Sequence, residues 1–234
     1  MQPLAADALV AAWERGRDCP PLDRALVLYA MAVPDAAADA LADRPLGERN
    51  RALLRLRQAL FGDVLAACID CPQCNERLEF GLSASTLLAR QAPGVRTIEV
   101  DGIRFRLPTT RDLARIAQAV DSQAASRQLF GSIVEYGTLP DEARLAPLVE
   151  RVAGALDEAD PCIDLSLAVG CPACSHHWSV SLDVVGYLWD EIDVRARTLL
   201  DDVHVLARAY GWDEARILGL SDARRCAYLE RVAG

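Results

Sequence analysis

The chain has 234 residues, of which 52% are apolar and 25% charged, and its net charge is −9. This composition excludes a disordered or fibrous protein and predicts a folded chain with a buried core. All 25 basic residues are arginine, because the sequence contains no lysine. P-loop, Schiff-base and kinase-type phosphate sites are therefore excluded, since each needs a lysine.

The acidic balance also argues against two kinds of partner. A protein binds a nucleic acid or an anionic membrane through a basic surface patch. The acidic composition of this chain does not indicate such a patch. The longest apolar run, Ala25–Val33, has nine residues, whereas a membrane span needs about 20. The N-terminal residues lack the basic start and apolar stretch of an export signal. We therefore expect a cytoplasmic protein with no membrane span and no nucleic-acid ligand.

Three helices are predicted at the start of the chain, over Leu4–Arg17, Pro21–Val33 and Pro45–Phe61. Proline-containing breaks separate them, because proline lacks the backbone donor that a helix interior requires. We assign residues 1–62 to an N-terminal helical region.

An internal repeat follows, in which the turn Cys71-Pro72-Gln73-Cys74 recurs as Cys171-Pro172-Ala173-Cys174. Alternating apolar residues follow each turn, with Leu78, Phe80 and Leu82 opposite Trp178, Val180 and Leu182. This period of two predicts a strand, and the pattern after it predicts a helix. We therefore expect two β-hairpin knuckles, in segments 63–90 and 161–234, each with two cysteines at its tip.

The two knuckles together have the ligand set of a structural zinc site. Zinc takes four ligands in a tetrahedron, and one Cys-x-x-Cys turn supplies only two. Closing the loop between the turns costs about 4 kcal/mol, whereas structural zinc binding supplies about 10 to 16 kcal/mol. We predict one structural Zn²⁺ held by Cys71, Cys74, Cys171 and Cys174.

Two other ligand sets can be written for these cysteines. Cys68 extends the first turn to a Cys-x2-Cys-x2-Cys pattern, which suggests an iron–sulfur cluster, but Ala168 stands at the matching place in the second half. His176 and His177 could replace a sulfur, although four cysteines already complete the shell. We interpret both histidines as solvent-facing, and interpret Cys19, Cys162 and Cys226 as buried or half-buried thiols.

Segment 91–160 is predicted to contain one further hairpin and two helices. Two alternating stretches flank Asp101-Gly102, a dipeptide typical of a type I′ turn. Thr109 or Thr110 can cap a helix running toward Tyr136, and another helix is predicted over Pro140–Ala159.

The last part of the chain is predicted to be helical. Apolar residues recur at three- and four-residue steps from Val185 to Tyr210, which predicts one long amphipathic helix. Shorter helices follow over Trp212–Leu218 and after Ser221. The fold class is thus α+β, mostly α-helical, with a split four-cysteine zinc ribbon made of two β-hairpin knuckles and one extra β-hairpin.

Several longer segments, taken with the two turns, carry a resemblance to a bacterial family. They are Phe105–Leu113, Leu188-Trp189-Asp190-Glu191-Ile192, Ala207–Leu218, Arg224-Arg225 and Tyr228-Leu229. In this order they resemble the T4-type phage baseplate hub assembly chaperone family, which also occurs in gene clusters for contractile injection systems. The similarity spans most of the chain after about Pro21.

The resemblance implies a non-enzymatic protein that assembles, or forms part of, the baseplate hub of a contractile tail. Its partners would be baseplate or hub proteins, and it would be cytoplasmic or incorporated into a phage-like particle. The Trp212–Leu229 tail is a candidate interaction element, or packs on its own domain. The alternative function is a zinc-ribbon adaptor that binds nucleic acid or another protein complex. A hydrolase using Glu191 and Asp193 ranks lowest, because carboxylates two positions apart on a helix do not face each other.

Overall fold

The computed structural model describes residues 5–90 and 94–233 of the chain. Backbone contacts divide the chain into two compact units. Unit 1 comprises Met1–Met31 and Val185–Gly234, and unit 2 comprises Ala32–Val184. The four segments predicted from the sequence are stretches of chain rather than compact units, and their boundaries stay a prediction.

Eleven helices and seven strands lie in the described residues. The helices are α1 (Ala6–Gly16), α2 (Pro21–Ala32), α3 (Ala38–Ala42), α4 (Leu46–Phe61), α5 (Ala84–Leu88), α6 (Thr110–Ile116), α7 (Ser122–Ile133), α8 (Glu142–Ala159), α9 (Val184–Tyr210), α10 (Glu214–Leu218) and α11 (Asp222–Ala233). The strands are β1 (Val64–Asp70), β2 (Arg77–Ser83), β3 (Thr97–Val100), β4 (Ile103–Arg106), β5 (Val134–Tyr136), β6 (Ser166–Gly170) and β7 (His177–Ser181). No described helix is both long and apolar enough to cross a membrane. The predicted α+β class, mostly helical with three hairpins, is confirmed.

The strands form three antiparallel sheets. β1 pairs with β2, β6 pairs with β7, and β3, β4 and β5 form a three-stranded sheet in that order. In both two-stranded sheets exposed residues alternate with half-buried or buried ones along the strands. This is the period-two pattern that the apolar spacing predicted.

The three-stranded sheet, α7 and α8 enclose a hydrophobic core of unit 2. Phe105 and Ile133 are fully buried there, and Phe105 meets Phe130 edge to face with ring centroids 6.4 Å apart. The apolar face of α8 covers them with Leu148, Val152 and Leu156. The hairpin turn has φ of 53° at Asp101 and 73° at Gly102. This agrees with the type I′ turn expected from Asp-Gly.

Unit 1 is helical and is organised around the long helix α9. Trp13 of α1 donates its indole N–H to Asp193 of α9 at 2.7 Å. The guanidinium of Arg24 lies 4.4 Å from the ring centroid of Trp189, which is a favourable cation–π arrangement. The long amphipathic helix predicted from Val185 to Tyr210 is confirmed, since α9 covers that range.

Part of the predicted secondary structure is wrong in segment 91–160. The single helix expected from Thr109 toward Tyr136 is two helices, α6 and α7, followed by strand β5. Asp121 starts α7 by accepting the N–H of Ala124 at 2.7 Å, and this cap competes with continuation of α6. The short helix α3 was also not predicted.

Candidate metal centre

The first knuckle is the tip of the β1–β2 hairpin. The N–H of Cys71 donates to Glu76 O at 2.9 Å, and the N–H of Asn75 donates to Cys71 O at 2.9 Å. Asn75 lies in the left-handed region, with φ of 61°. Asparagine tolerates this conformation better than most residues other than glycine. The turn thereby directs the sulfurs of Cys71 and Cys74 to one side of the hairpin.

The second knuckle repeats this geometry at the tip of the β6–β7 hairpin. The N–H of Cys171 donates to His176 O at 2.8 Å, and the N–H of Ser175 donates to Cys171 O at 2.9 Å. Ser175 has φ of 59°, which matches the position of Asn75 in the first knuckle. The predicted repeat therefore extends from the sequence to the backbone hydrogen bonds.

The four cysteine sulfurs form one cluster within unit 2. Their Sγ atoms all lie within 4.8 Å of one another, with 3.7 Å between Cys71 and Cys174 and 3.6 Å between Cys74 and Cys171. These distances are far longer than the roughly 2.05 Å of a disulfide. A tetrahedral ion with zinc–sulfur bonds of about 2.3 Å places its sulfurs about 3.8 Å apart. The cluster can therefore hold one metal ion.

The spacing also bears on the iron–sulfur alternative. In a [4Fe–4S] cluster each cysteine binds a different iron, so the cysteine sulfurs lie farther apart than around a single ion. Cys68 is exposed and is not part of the four-cysteine group. The arrangement favours a single tetrahedral ion without Cys68.

The cysteines influence one another electrostatically. Burial alone would raise the pKa of Cys71, but N–H groups of Cys74 and Gln73, with the thiols of Cys74 and Cys171, lower it to about 7. The N–H of Glu76 lowers the pKa of Cys74, but the Cys174 thiol, burial and the neighbouring cysteines raise it to about 12. Several thiolates this close repel one another, and a bound cation relieves that repulsion.

Asp63 stabilises the root of the first hairpin, by which we mean the end opposite the cysteine turn. Its carboxylate accepts the hydroxyl and N–H of Ser85 at 2.6 and 2.8 Å, and the hydroxyl of Ser83 at 2.7 Å. Gln58 of α4 donates to the same group at 2.9 Å. These hydrogen bonds, that of the Ser85 hydroxyl first, lower the pKa of Asp63 to about 2. One carboxylate thus joins α4, β1, β2 and the start of α5.

The root of the second hairpin is joined to the same helix. Asn50 of α4 is buried and donates its side-chain amide to Cys162 O at 2.8 Å. Neither Asn50 nor Asp63 belongs to a motif that marks it in the sequence. Asn50 lies 112 positions from its partner, so no local pattern could reveal the pair.

The remaining cysteines and histidines lie outside the cluster. Cys162 is buried and Cys19 half-buried, as predicted, but Cys226 is exposed, which corrects the prediction for that thiol. His177 is exposed, whereas His176 is half-buried and stacks on Trp178 with ring centroids 5.5 Å apart. The prediction of a solvent-facing side chain thus holds for His177 and only in part for His176.

The candidate interaction element in the tail contains an aromatic cluster. Trp212 stacks on Tyr210 at 4.8 Å and meets Tyr228 edge to face at 4.8 Å between ring centroids. The guanidinium of Arg216 lies 4.5 Å from the Trp212 ring centroid. The rings therefore pack on one another within unit 1.

Comparisons with protein-family models, with curated proteins and with solved structures each found no match.

Proposed function

We propose that Cys71, Cys74, Cys171 and Cys174 bind one structural Zn²⁺. The observation that supports this most directly is the sulfur spacing of 3.6 and 3.7 Å, which fits a single tetrahedral ion. Zinc prefers such a thiolate set, and four cysteines leave no open position for water or substrate. The role of the ion is then to hold the two hairpins together.

Metal analysis tests this proposal directly. Protein purified without added metal should contain close to one equivalent of zinc. The C71S/C171S double variant should lose it, whereas C68S, which changes the exposed thiol three positions from the first ligand, should retain it. Iron with visible absorbance, or no metal, would contradict the zinc assignment.

We propose further that the chain acts without catalysis, as an assembly chaperone or structural component of a baseplate hub. The contractile particle would be a phage tail or a tail-like injection system. The order of the two Cys-Pro-x-Cys turns, the Phe105–Leu113 segment and the Ala207–Leu218 segment supports this role by resemblance. A metal ion with four cysteine ligands is compatible with this non-catalytic role, because its coordination sphere has no open position for a reacting group.

Deletion of the gene in its host tests the assembly role. Contractile particles should be absent or should lack a complete hub, while their other components are still made. Mass spectrometry of purified particles then separates the two forms of the proposal, because a structural component stays in the particle and a chaperone leaves. Normal, active particles from the deletion strain would refute both.

A further inference from the structure

A groove lies between the two knuckle hairpins, along β2 and β6. Its volume is about 570 Å³, and its lining includes consecutive residues of both strands and Pro172 of the second knuckle. That volume is within the usual range of ligand sites. Half-buried Leu78, Phe80, Leu167 and Val169 supply apolar surface.

Both sides of the groove are strand edges. Among the described residues β2 pairs only with β1, and β6 pairs only with β7. In an antiparallel hairpin, hydrogen-bonded and non-hydrogen-bonded residue pairs alternate along the strands. In the second hairpin, the hydrogen bonds from Cys171 N to His176 O and from Leu182 N to Leu165 O identify two of the hydrogen-bonded pairs. The N–H and C=O of Ala168 and Gly170 therefore point away from β7.

The same reasoning applies to β2. The bonds from Cys71 N to Glu76 O and from Ala84 N to Asp63 O set the alternation in the first hairpin. The backbone groups of Arg77 and Glu79 therefore point away from β1. These two residues, with Ala168 and Gly170 opposite, line the groove. Donors and acceptors thus lie on both of its sides.

The two edges differ in how well they resist pairing. A charged side chain on an edge strand hinders the approach of another strand, and β2 carries Glu79 at an outward position in the lining of the groove. The outward positions of β6 hold Ser166, Ala168 and Gly170, which are small and exposed. A second backbone can therefore approach β6 closely, whereas β2 is guarded.

The charges of the groove indicate one feature of its ligand. Two of its three charged lining residues are arginines, although the chain carries −9 overall. Arg77 donates its Nε to Cys68 Sγ at 2.9 Å, and Cys68 lies on β1, away from the groove. Arg90 has no ion pair among the described residues, so its guanidinium is available to a carboxylate.

We propose that this groove binds an extended segment of a partner protein, which pairs with the free edge of β6. The outward groups of a strand recur every second residue, about 6.6 Å apart, and an extended polypeptide matches this repeat. The five residues of β6 span about 16 Å, which accommodates four or five residues. The segment carries alternating apolar residues toward the floor of the groove and a carboxylate near Arg90.

This inference rests on the proposed metal site, because the ion would hold the two hairpins at a fixed separation. The experiment is therefore performed on protein whose zinc content has been measured. The probe is a fluorescein-labelled heptapeptide in which valine and threonine alternate and the last residue is aspartate. Its binding is followed by fluorescence anisotropy, and we expect saturable binding to the zinc-loaded protein.

Two proline variants on opposite edges of one hairpin provide the matched comparison. Ala168→Pro removes a donor from the β6 edge without removing a ladder bond to β7. Ser179→Pro removes the donor on the outer edge of β7, because Ala168 and Ser179 are cross-strand partners, and it also removes the 2.6 Å contact between the Ser179 and Ser166 hydroxyls. A168P should weaken peptide binding at least tenfold, whereas S179P should stay within twofold of the wild type.

Hydrogen exchange on the wild-type protein gives a second readout that needs no variant. Exchange of the Ala168 amide should slow at least tenfold when the peptide is added, and that of Ser179 should not change. The proposal is overturned if zinc-loaded protein shows no saturable binding, or if both proline variants bind equally. It is also overturned if sedimentation shows that β6 pairs with a second copy of this chain, with dimerisation lost in A168P. Absence of zinc from wild-type protein would count separately against the metal site.

Discussion

Arg51 and Asp160 form a two-point ion pair, with 2.5 Å from Nη1 to Oδ1 and 2.8 Å from Nη2 to Oδ2. The Asp160 side chain is 2% exposed and that of Arg51 is 19% exposed. Asp160 also accepts the N–H of Cys162 at 3.0 Å. The pair therefore joins α4 to the segment that leads into the second knuckle hairpin.

Gly47 leaves the space that this carboxylate occupies. A Cβ at Gly47 would lie 2.1 Å from Oδ2 of Asp160, which is well inside van der Waals contact. Gly47 is the second residue of α4, so alanine gains less there than the about 1 kcal/mol that it gains over glycine in a helix interior. Overpacking a rigid site costs about 1 to 3 kcal/mol. We expect Gly47→Ala to lower the free energy of unfolding by about 1 to 2 kcal/mol, measured by urea denaturation.

Gly154 of α8 is the matched control for that substitution. A Cβ there meets nothing within 4 Å, so only the helix preference remains. Gly154→Ala should raise the free energy of unfolding by about 0.5 to 1 kcal/mol. Equal stabilisation by both substitutions would show that the Asp160 carboxylate can move away from a Cβ at position 47.

Asp112 should make the stability depend on acid pH. Burial alone would raise its pKa, but hydrogen bonds from Arg106 and Thr109 outweigh burial and hold the pKa well below its usual range. Because the folded-state pKa lies below the unfolded value of about 3.9, the stabilisation is present at neutral pH. It should be lost as pH falls below about 5. The measurement is the free energy of unfolding from pH 7 to pH 2.

The Asp112→Asn variant isolates that contribution. At pH 7 it should be less stable than the wild type by about 3 kcal/mol. This value is at the lower end for a broken buried ion pair, because the Arg106 side chain is 30% exposed. The difference between the two proteins should shrink as pH falls. A difference that stays constant to pH 2 would contradict the assigned cause.

Removal of the proposed metal should destabilise unit 2. Without the cation, the thiolates of the two knuckles are no longer held together, and structural zinc contributes directly to folding. A chelator should therefore lower the thermal midpoint of wild-type protein, monitored by circular dichroism, and added zinc should restore it. In the C71S/C171S variant the chelator should have no effect.

Arg225 is the largest fully buried side chain among the described residues. Its guanidinium bonds to Asp202 at 2.9 Å and also contacts Asp222. Arg225→Ala would leave Asp202, whose side chain is 15% exposed, without this cation, so we expect a loss of about 3 kcal/mol in the free energy of unfolding. The exposed neighbour Arg224 provides the control, since Arg224→Ala should change it by less than about 0.5 kcal/mol.

The elements best predicted from the sequence are those with a short-range physical signature. The Cys-Pro-x-Cys repeat identified the four residues that cluster, and Asp101-Gly102 identified the hairpin turn. Each signal depends on residues within a few positions of one another. The residues of each turn could therefore be identified without knowledge of any tertiary contact.

The elements that were missed depend on distant contacts. β5 has only three residues, too few for a period-two pattern, and it forms by pairing with β4. The residues between α6 and α7 contain no proline or glycine, so the N-cap residue Asp121 is the local mark of the break there. The roots of the hairpins depend likewise on Asn50 and Asp160, whose partners lie 112 and 109 positions away.

The separation of the two knuckles affects how this chain emerges during synthesis. Cys74 and Cys171 lie 97 positions apart, and translation proceeds at about 5 to 20 residues per second. For about 5 to 20 s, therefore, the first knuckle has been synthesised and the second has not. Two thiols without their counterpart are open to oxidation during that interval, so the redox state around the ribosome bears on whether the four-cysteine cluster forms.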